Sequence, residues 1–292
     1  MAFQKIKPVD SAKIGVFNTP FALSIGPQRA GTSWLDRYLR SRGDICLPSQ
    51  VKEVFFFDRN YDRGLAYYAG HFQQETHHRL AMEISTTSFD HPEAPLRIRE
   101  TAGLDVRLIC PLRHPIVRSY SLYRHYMRYG LVKGTLREAC FQNPQILNSS
   151  KYARHIKNWM LYFGRGRINI FFQEDLEKNQ EQYVMKICRA LRIPYVPVLP
   201  EIQVPFNTTT NAPSHVLAKH AQHASDWLRR KELYPLINAA KAAGLKRLIF
   251  GANSNDIQKS GIPAEDRAWL EEQLQDQVET LEELIGPIPQ WR

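Results

Sequence analysis

The sequence predicts an α/β fold of the P-loop type with three layers: a central parallel sheet with helices on both faces. Short apolar runs typical of buried strands alternate with longer segments of helical periodicity. The first strand leads through a glycine-bearing turn directly into a helix. Strands that alternate with helices pair in parallel, because each helix returns the chain to the starting edge of the sheet.

Four apolar runs are the predicted strands of that sheet. They are FALSIG from Phe21, LAMEIS from Leu80, DVRLICPL from Asp105 and RINIFF from Arg167. Their β-branched and aromatic residues favour extended backbone. Their continuous apolar character is typical of strands that are buried on both faces.

Five helices are predicted from apolar residues at helical spacing and from turn residues at the segment ends. They are Thr32 to Arg42, ended by Gly43-Asp44; a segment from Pro115 past Tyr126; KYARHIKNWMLYFG from Lys151; DLEKNQEQYVMKICRALRI from Asp175; and a long helix with Pro263 near its start and Gly286 past its end. We predict one domain over residues 1–292, with a core over about 20–200 and a helical C-terminal extension over about 205–292.

The chain is strongly basic: 39 lysines and arginines against 29 aspartates and glutamates give a net charge of +10. Such a surplus attracts anionic partners, whether nucleic acid, acidic membrane, polyanionic sugar or a multiply phosphorylated cofactor. The four cysteines are widely spaced without a CxxC pair, so no disulfide framework is predicted. No secretory signal and no apolar run of about 20 residues is visible. We therefore expect a cytoplasmic location.

The turn after the first strand has the spacing of a phosphate-binding loop. Gly26 and Gly31 enclose four residues, so backbone N–H groups and the positive end of the next helix can face an anion. In a nucleoside triphosphatase, a lysine and a serine or threonine would follow the second glycine. Here Thr32 and Ser33 follow it, and the cation is Arg29. The spacing predicts a phosphate loop without a metal, and a plain strand-to-helix turn is the alternative.

The loop GPQRAGTSWL resembles the 5′-phosphosulfate loop of sulfotransferases, which reads G-x-x-[KR]-x-G-T-[ST]. A second segment, RHPIVRSYS, is similar to the family motif R-x-P-x-x-R-x-x-S and follows the third predicted strand. The resemblance implies that 3′-phosphoadenosine 5′-phosphosulfate (PAPS) is the co-substrate and that no metal is required. The residues that it assigns to PAPS are Arg29, Ala30, Gly31, Thr32 and Ser33 in the loop, with Arg113 and Ser121 on the 3′-phosphate.

The spacing of the second segment is physically reasonable for a phosphate site. Arg113 leaves the strand end, Pro115 opens a helix, and Ser121 lies about two turns further on. A guanidinium and a hydroxyl then converge on one phosphate through charge-assisted hydrogen bonds.

Two further segments resemble glycosaminoglycan sulfotransferases. KEVFFFD, from Lys52, is similar to the K-E-x-H-F-F-D motif, and EISTTSFDHPEAPLRI, from Glu83, is similar to E-K-x-P-x-Y-F…A-P-x-R-I. The resemblance implies that Glu53 is the general base and that Lys52 neutralises charge on the sulfuryl group. A solvated ion pair on a loop is the alternative for these two residues.

The chain departs from that pattern at two positions. Phe55 replaces the family's histidine, and Ile84 replaces the family's lysine. Both family residues lie close to the acceptor, so their loss weakens the case for a glycosaminoglycan acceptor. Since Phe55, Phe56 and Phe57 make this edge apolar, a more hydrophobic acceptor is a second hypothesis beside a carbohydrate-like one.

Three assignments stay open at the level of sequence. Tyr152 is expected either to line the adenosine pocket or to be a core tyrosine. The late segment PFNTTTNAPSHVLAKH, from Pro205, stands where relatives cover the cofactor, but it gives no named contacts. A histidine is the alternative base, as in sulfotransferases of small phenols and alcohols; the candidates are His71, His77, His78, His91, His114, His125 and His155.

Two other classes of protein compete with the sulfotransferase hypothesis. A P-loop nucleotide kinase or NTPase is the first, although its lysine and a magnesium-binding aspartate are missing. A nucleic-acid- or membrane-binding module is the second, suggested by the net charge and the basic stretch from Leu228 to Leu248. We expect two partners, PAPS and an acceptor that carries a hydroxyl group or, as the variant, an amine. The acceptor is expected to be carbohydrate-like, small or lipid-like. No nucleic-acid partner is expected, and peripheral membrane contact is a further hypothesis.

Overall fold

The computed structural model describes residues 17–203 and 261–292, together with the isolated positions 224, 228, 236 and 239. Over these residues the chain forms a parallel sheet of five strands in the order β2-β3-β1-β4-β5. The strands are β1 (Phe21–Ser24), β2 (Ile45–Cys46), β3 (Leu80–Ile84), β4 (Arg107–Leu112) and β5 (Ile168–Phe172).

Helices connect these strands and cover the sheet. The α-helices of the described residues are α1 (Thr32–Arg42), α2 (Phe56–Arg59), α3 (Gly64–Ala69), α4 (Ala94–Ala102), α5 (Pro115–Arg128), α6 (Leu136–Gln142), α7 (Gln145–Asn148), α8 (Tyr152–Phe163), α9 (Gln173–Lys178), α10 (Gln180–Leu191), α11 (Pro200–Gln203) and α12 (Ala264–Ile285). Single 3-10 turns cover Tyr61–Arg63, Thr86–Ser88, Arg165–Arg167 and Pro289–Trp291.

The predicted three-layer α/β architecture is confirmed. Successive residues of β1 point to opposite faces, so Ala22 packs with α1 and α10 while Leu23 packs with α4, α8 and α12. Every residue of β1 and β3 is buried. This burial explains why the strands read as continuous apolar runs in the sequence.

The four predicted strands are all present, but the sequence did not reveal β2. This strand has two residues, Ile45 and Cys46, which pair with Leu80 and Ala81 of β3. A pairing that short has no periodicity of its own, so only the neighbouring strand defines it.

The helix predictions are confirmed for α1, α5, α8 and α12. Gly43 ends α1 with φ 74°, and Gly286 follows α12 with φ 94°. The single helix predicted from Asp175 is wrong, because the chain breaks into α9 and α10. Asn179 causes the break: its backbone is extended and its side chain accepts a hydrogen bond from the Gln182 N–H, 3.0 Å away, as a new N-cap.

The sheet order brings three loops to one edge. β1 lies between β3 and β4, so the segments that follow these three strands leave the sheet side by side. Two backbone hydrogen bonds extend the pairing to the start of these segments: Ile25 N–H to the Ile109 carbonyl (2.8 Å) and Ser85 N–H to the Ser24 carbonyl (2.9 Å). Ligand sites in open α/β sheets lie at this carboxyl edge.

The segment from Pro205 to His220 lies outside the described residues, and so does the basic stretch from Leu228 to Leu248 apart from three isolated positions. Among the described helices, none combines the length and apolar character needed to cross a bilayer.

Candidate active site

The loop between β1 and α1 is fixed by a close approach to β4. A Cβ atom on Gly26 would lie 2.1 Å from the carbonyl oxygen of Pro111, so only glycine fits there. Gly31 has φ 78° and Arg29 has φ 71°, both in the left-handed region. That conformation costs an arginine about 1–2 kcal/mol, and such strain is concentrated at functional sites.

The N-terminus of α1 faces this loop. Gly31 is the N-cap residue and supplies no side-chain acceptor to the first turn. The amide groups of that turn and the positive end of the helix therefore suit an external anion. Ala30 is fully buried, Thr32 is 4% exposed and Ser33 is half-buried, so the loop packs tightly against the sheet.

The two predicted donor-binding motifs meet in the fold. Arg29 Nε donates a hydrogen bond to Ser121 Oγ, with 3.0 Å between the two atoms. Ser121 lies on α5, which begins where Arg113 leaves β4. The loop and the start of α5 therefore form one continuous surface.

This surface concentrates positive charge. Burial, followed by repulsion from the nearby Arg113 and by smaller contributions from Arg118 and Arg128, lowers the pKa of the Arg29 guanidinium to about 10. Burial removes the water that would solvate this cation, and neighbouring guanidinium groups repel it. An anionic ligand would offset both effects.

Arg118 is a residue whose role the sequence did not predict, although it stands within the motif RHPIVRSYS. It is 1% exposed, and its Nε donates to the Gln28 carbonyl at 3.0 Å. Its Nη1 also donates to Ser150 Oγ at 2.9 Å. Arg118 thus ties α5 to the backbone of the phosphate loop, and the second arginine of the motif was the signal for it.

Tyr152 supports the candidate site from the core. It is 1% exposed, and its hydroxyl donates to the Arg113 carbonyl at 2.9 Å. Its ring packs against Phe89 and Trp291, with centroid distances of 5.8 and 6.0 Å. Its burial fits a core tyrosine, and a contact with the adenosine group of the donor stays a prediction.

The C-terminal residues pack behind the same strand end. Trp291 Nε1 donates to Glu174 Oε2 at 3.3 Å, and Glu174 Oε1 accepts the His114 N–H at 2.9 Å. The Trp291 ring also lies 5.7 Å from the His114 ring. The backbone at Arg113 is therefore held by two hydrogen bonds: its carbonyl accepts from Tyr152, and the following N–H donates to Glu174.

The predicted catalytic pair lies directly beside the loop. Lys52 Nζ donates to Thr32 Oγ1 at 3.2 Å and lies 3.5 Å from Glu53 Oε1. Glu53 Oε2 accepts two hydrogen bonds from Thr86, from the backbone N–H at 3.2 Å and from Oγ1 at 2.5 Å. The side chains of Lys52 and Glu53 are 27% and 15% exposed, so this pair is not a solvated surface pair.

Glu83 anchors the predicted catalytic segment, residues 52–58, which contains Lys52 and Glu53. Glu83 Oε1 accepts the Val54 N–H and its Oε2 accepts the Tyr68 hydroxyl, both at 2.8 Å. Complete burial raises the pKa of Glu83 to about 8, and these two hydrogen bonds oppose that shift. Since Val54 follows Glu53, the buried carboxyl group fixes where Glu53 stands.

The two departures from the family pattern occupy different environments. Ile84 is fully buried and packs with Ala22 and Met82, so this position faces the core. Phe55 has φ 56°, and its ring lies 4.5 Å from the Arg59 guanidinium carbon. Phe55 therefore lies at the edge of the catalytic segment, where it provides a stacking surface for that arginine.

Most histidines with described hydrogen bonds contact other parts of the chain. His155 Nε2 contacts the Asn148 carbonyl at 2.7 Å and His77 Nε2 contacts the Gly43 carbonyl at 3.1 Å. His78 Nδ1 accepts the Glu75 N–H at 2.8 Å. His91 Nδ1 likewise accepts the Glu93 N–H at 3.3 Å, and His91 also lines a cavity beside the loop.

That cavity has a volume of about 360 Å³ and adjoins the phosphate loop through Gln28. Thr86, the hydrogen-bond partner of Glu53, is also part of its wall. The cavity thus opens next to both the loop and the predicted base. Asp58, Thr86 and Asp90 are among its side chains that were not singled out from the sequence.

Comparisons with known proteins agree with this arrangement. A sulfotransferase domain model matches residues 22–212, which is more than half of the chain. Heparan sulfate glucosamine 3-O-sulfotransferase 6 of Mus musculus is 32% identical over 152 residues, covering 49% of this chain and 44% of that protein. The bifunctional heparan sulfate N-deacetylase/N-sulfotransferase of Drosophila melanogaster is 28% identical over 212 residues, covering 60% of this chain and 20% of that protein.

The chain thus spans less than half the length of these two curated relatives. Among solved structures, a sulfotransferase from Alicyclobacillus acidocaldarius has the same fold, with a TM-score of 0.65 and 19% identity. The match covers 94% of this chain and all of that one. The phosphate loop, the second motif and the domain match lead to one conclusion: this chain belongs to the sulfotransferase family.

Proposed function

We propose that this protein is an enzyme that transfers the sulfuryl group of PAPS to a hydroxyl group of a carbohydrate-like acceptor. Family membership supports the donor and the reaction. The names of two similar proteins refer to heparan sulfate, which supports a carbohydrate-like acceptor. One arrangement carries the proposal: the second donor motif and the catalytic segment both contact the phosphate loop. Ser121 contacts Arg29, and Lys52 contacts Thr32.

The donor would be held at both of its phosphorylated ends. Arg29, Thr32 and Ser33, with the backbone of Ala30 and Gly31, are the proposed ligands of the 5′-phosphosulfate. Their support is a helix N-terminus and a buried cation that neighbouring guanidinium groups repel. Arg113 and Ser121 are the proposed ligands of the 3′-phosphate, at the start of α5.

Transfer would break the bond between sulfur and the 5′-phosphate oxygen and form a bond between sulfur and the acceptor oxygen. Glu53 would accept the proton of the acceptor hydroxyl, and Thr86 keeps its carboxylate oriented. Lys52 would neutralise charge on the transferring group and on the leaving oxygen. The product is 3′-phosphoadenosine 5′-phosphate (PAP), and positioning supplies much of the rate, as in phosphoryl transfer.

Three expectations stay predictions from the sequence. They are the single domain over residues 1–292, the cytoplasmic location and the absence of nucleic-acid partners.

The proposal is tested by incubating the protein with [³⁵S]PAPS and a panel of neutral, amino and acidic oligosaccharides. We expect labelled oligosaccharide and an equal amount of PAP, with no requirement for added Mg²⁺. A parallel thermal-shift assay compares PAP with ATP–Mg²⁺, and we expect only PAP to raise the Tm. Stabilisation by ATP–Mg²⁺ alone, together with ATP hydrolysis, would favour the nucleotide kinase or NTPase class instead.

A further inference from the structure

The peptide group that follows Arg113 is fixed at both of its polar atoms by side chains from distant segments. Its oxygen, the Arg113 carbonyl, accepts the Tyr152 hydroxyl at 2.9 Å. Its N–H, which belongs to His114, donates to Glu174 Oε1 at 2.9 Å. The second oxygen of Glu174 accepts Trp291 Nε1 at 3.3 Å. Two contacts, one from Tyr152 and one from Trp291 through Glu174, therefore set the plane of this peptide.

Trp291 is itself anchored on the side away from Glu174. Glu282 on α12 accepts the Ile288 N–H at 2.9 Å, and Ile288 is 1% exposed in the core. The indole ring packs edge-on against the ring of Phe172, the last residue of β5, with 5.3 Å between the centroids. The indole N–H thus reaches Glu174 from a ring that the core already holds in place.

The Arg113 side chain has no comparable support. Among the described residues, its guanidinium has no hydrogen-bond or ion-pair partner. Its charge acts on two neighbours: after burial, it lowers the pKa of Arg29, and it opposes the rise that burial causes in the pKa of Glu174. Within the described part of the chain, the direction of this guanidinium therefore depends on the peptide group that carries it.

We propose that Tyr152 and Trp291 are positioning residues that orient Arg113 toward the 3′-phosphate of the donor. The inference rests on the proposed function, which assigns Arg113 to that phosphate. Neither Tyr152 nor Trp291 needs to touch the donor for this role. A binding group has to be held within about 0.5 Å of its productive position, and hydrogen bonds to its support supply that precision.

The preference for a 3′-phosphorylated nucleotide would then depend on residues outside the donor pocket. Loss of either support should weaken the binding of PAP and leave that of adenosine 5′-phosphate unchanged, because adenosine 5′-phosphate has no 3′-phosphate for Arg113 to contact. A contact of Tyr152 with the adenosine group would instead weaken both nucleotides equally. The ratio of the two affinities therefore separates positioning from adenosine contact and from a general loss of structure.

The test measures the binding of both nucleotides by calorimetry in the intact chain and in two variants that keep its net charge. Trp291→Phe removes the indole N–H and keeps an aromatic ring, and Tyr152→Phe removes only the hydroxyl. Each should weaken PAP binding about 3- to 10-fold, which is less than the loss in Arg113→Ala, because the guanidinium itself remains. Adenosine 5′-phosphate binding should stay unchanged in both.

Trp269→Phe and Tyr123→Phe are the matched controls. The Trp269 ring lies 5.8 Å from the guanidinium carbon of Arg137 on α6, and the Tyr123 hydroxyl donates to the Gly134 carbonyl at 2.8 Å. The same chemical groups are thus removed where they contact α6 and the segment before it. Both controls should keep the wild-type ratio of the two affinities.

A double-mutant cycle tests whether the effect passes through Arg113. In the Arg113→Ala background, Trp291→Phe and Tyr152→Phe should cause no further loss of PAP affinity, because the group that they orient is absent.

Additive losses in that background, equal losses for both nucleotides, the same selective loss in the controls, or unchanged PAP affinity in both variants overturns the inference. If one variant does not fold, the other decides. Failure of the wild type to bind PAP overturns the proposed function itself, and this inference with it.

Discussion

Arg29 Nε donates a 3.0 Å hydrogen bond to Ser121 Oγ, and this contact joins residues 92 positions apart in the sequence. Arg29 reaches Ser121 from a left-handed backbone conformation with φ 71°. The arginine is therefore fixed toward α5 before any anion arrives, and a preorganised site loses less conformational freedom on binding.

Replacement of Glu53 by glutamine should abolish proton acceptance while keeping the contacts with Thr86. We expect kcat to fall about 100-fold or more, because a general base contributes roughly 10²–10⁴-fold. PAP affinity should stay unchanged, since Glu53 does not bind the donor. Glu100→Gln, at an exposed position of α4, is the matched control. Near-wild-type turnover in Glu53→Gln would remove this residue from the mechanism.

The contact between Lys52 and Thr32 predicts coupled losses in a double-mutant cycle. Thr32→Val and Lys52→Met should each lower kcat about 100-fold, since a lost transition-state donor typically costs roughly 10²–10³-fold. The double variant should lose much less than the product of the two, because the residues act as a unit. Thr101→Val, at another buried threonine, is the control. Strictly multiplicative effects would show that the two side chains act independently.

A methyl group at position 26 should disrupt the loop. In Gly26→Ala the new Cβ would collide with the Pro111 carbonyl, so we expect a loss of about 1–3 kcal/mol in the free energy of unfolding and weaker PAP binding. Gly166→Ala is the control, since a Cβ there meets nothing within 4 Å. It should change stability by less than about 0.5 kcal/mol. Urea unfolding of both variants measures the difference, and equal stabilities would contradict the observed approach of the loop to β4.

Glu83 should make stability depend on pH. Its folded-state pKa of about 8 lies above the usual glutamate value of 4.5, so its contribution to stability is fully present below about pH 4.5 and is lost as the pH rises to about 8. In that window the unfolded chain releases the proton while the folded one retains it. In Glu83→Gln, which resembles the protonated carboxyl group in shape, the decline in Tm between pH 5 and 8 should be shallower. A decline as steep as in the wild type would assign it to other groups.

The phosphate loop and the sheet were predictable because their signals are local. Gly26 and Gly31 mark the loop within one short segment, and the strands beside it are continuous apolar runs. The second motif was equally readable, since Arg113 and Ser121 are separated by only two helical turns.

The remaining features depend on contacts between distant segments. The break at Asn179 could be predicted only by knowing that the Asn179 side chain caps α10. Likewise, β2 exists only through its pairing with β3. The cavity assembles Asp58, Asp90 and Gln145 from three segments, and no spacing in the sequence brings them together. Similarly, Ile84 was interpreted as an acceptor-side position, but the alternation along β3 points it into the core.

The central claim is that the loop and the start of α5 grip both phosphorylated ends of one adenosine-based donor. Calorimetric titration with two nucleotides tests it most directly: PAP, and adenosine 5′-phosphate, which lacks the 3′-phosphate. The titrated proteins are the wild type, Arg113→Ala and the exposed-site control Arg189→Ala. A charge-assisted hydrogen bond is worth about 1.5–3 kcal/mol, so Arg113→Ala should weaken PAP binding roughly 10- to 100-fold and leave adenosine 5′-phosphate binding unchanged. Equal affinities for the two nucleotides in the wild type, or PAP binding that Arg113→Ala does not weaken, would contradict the account.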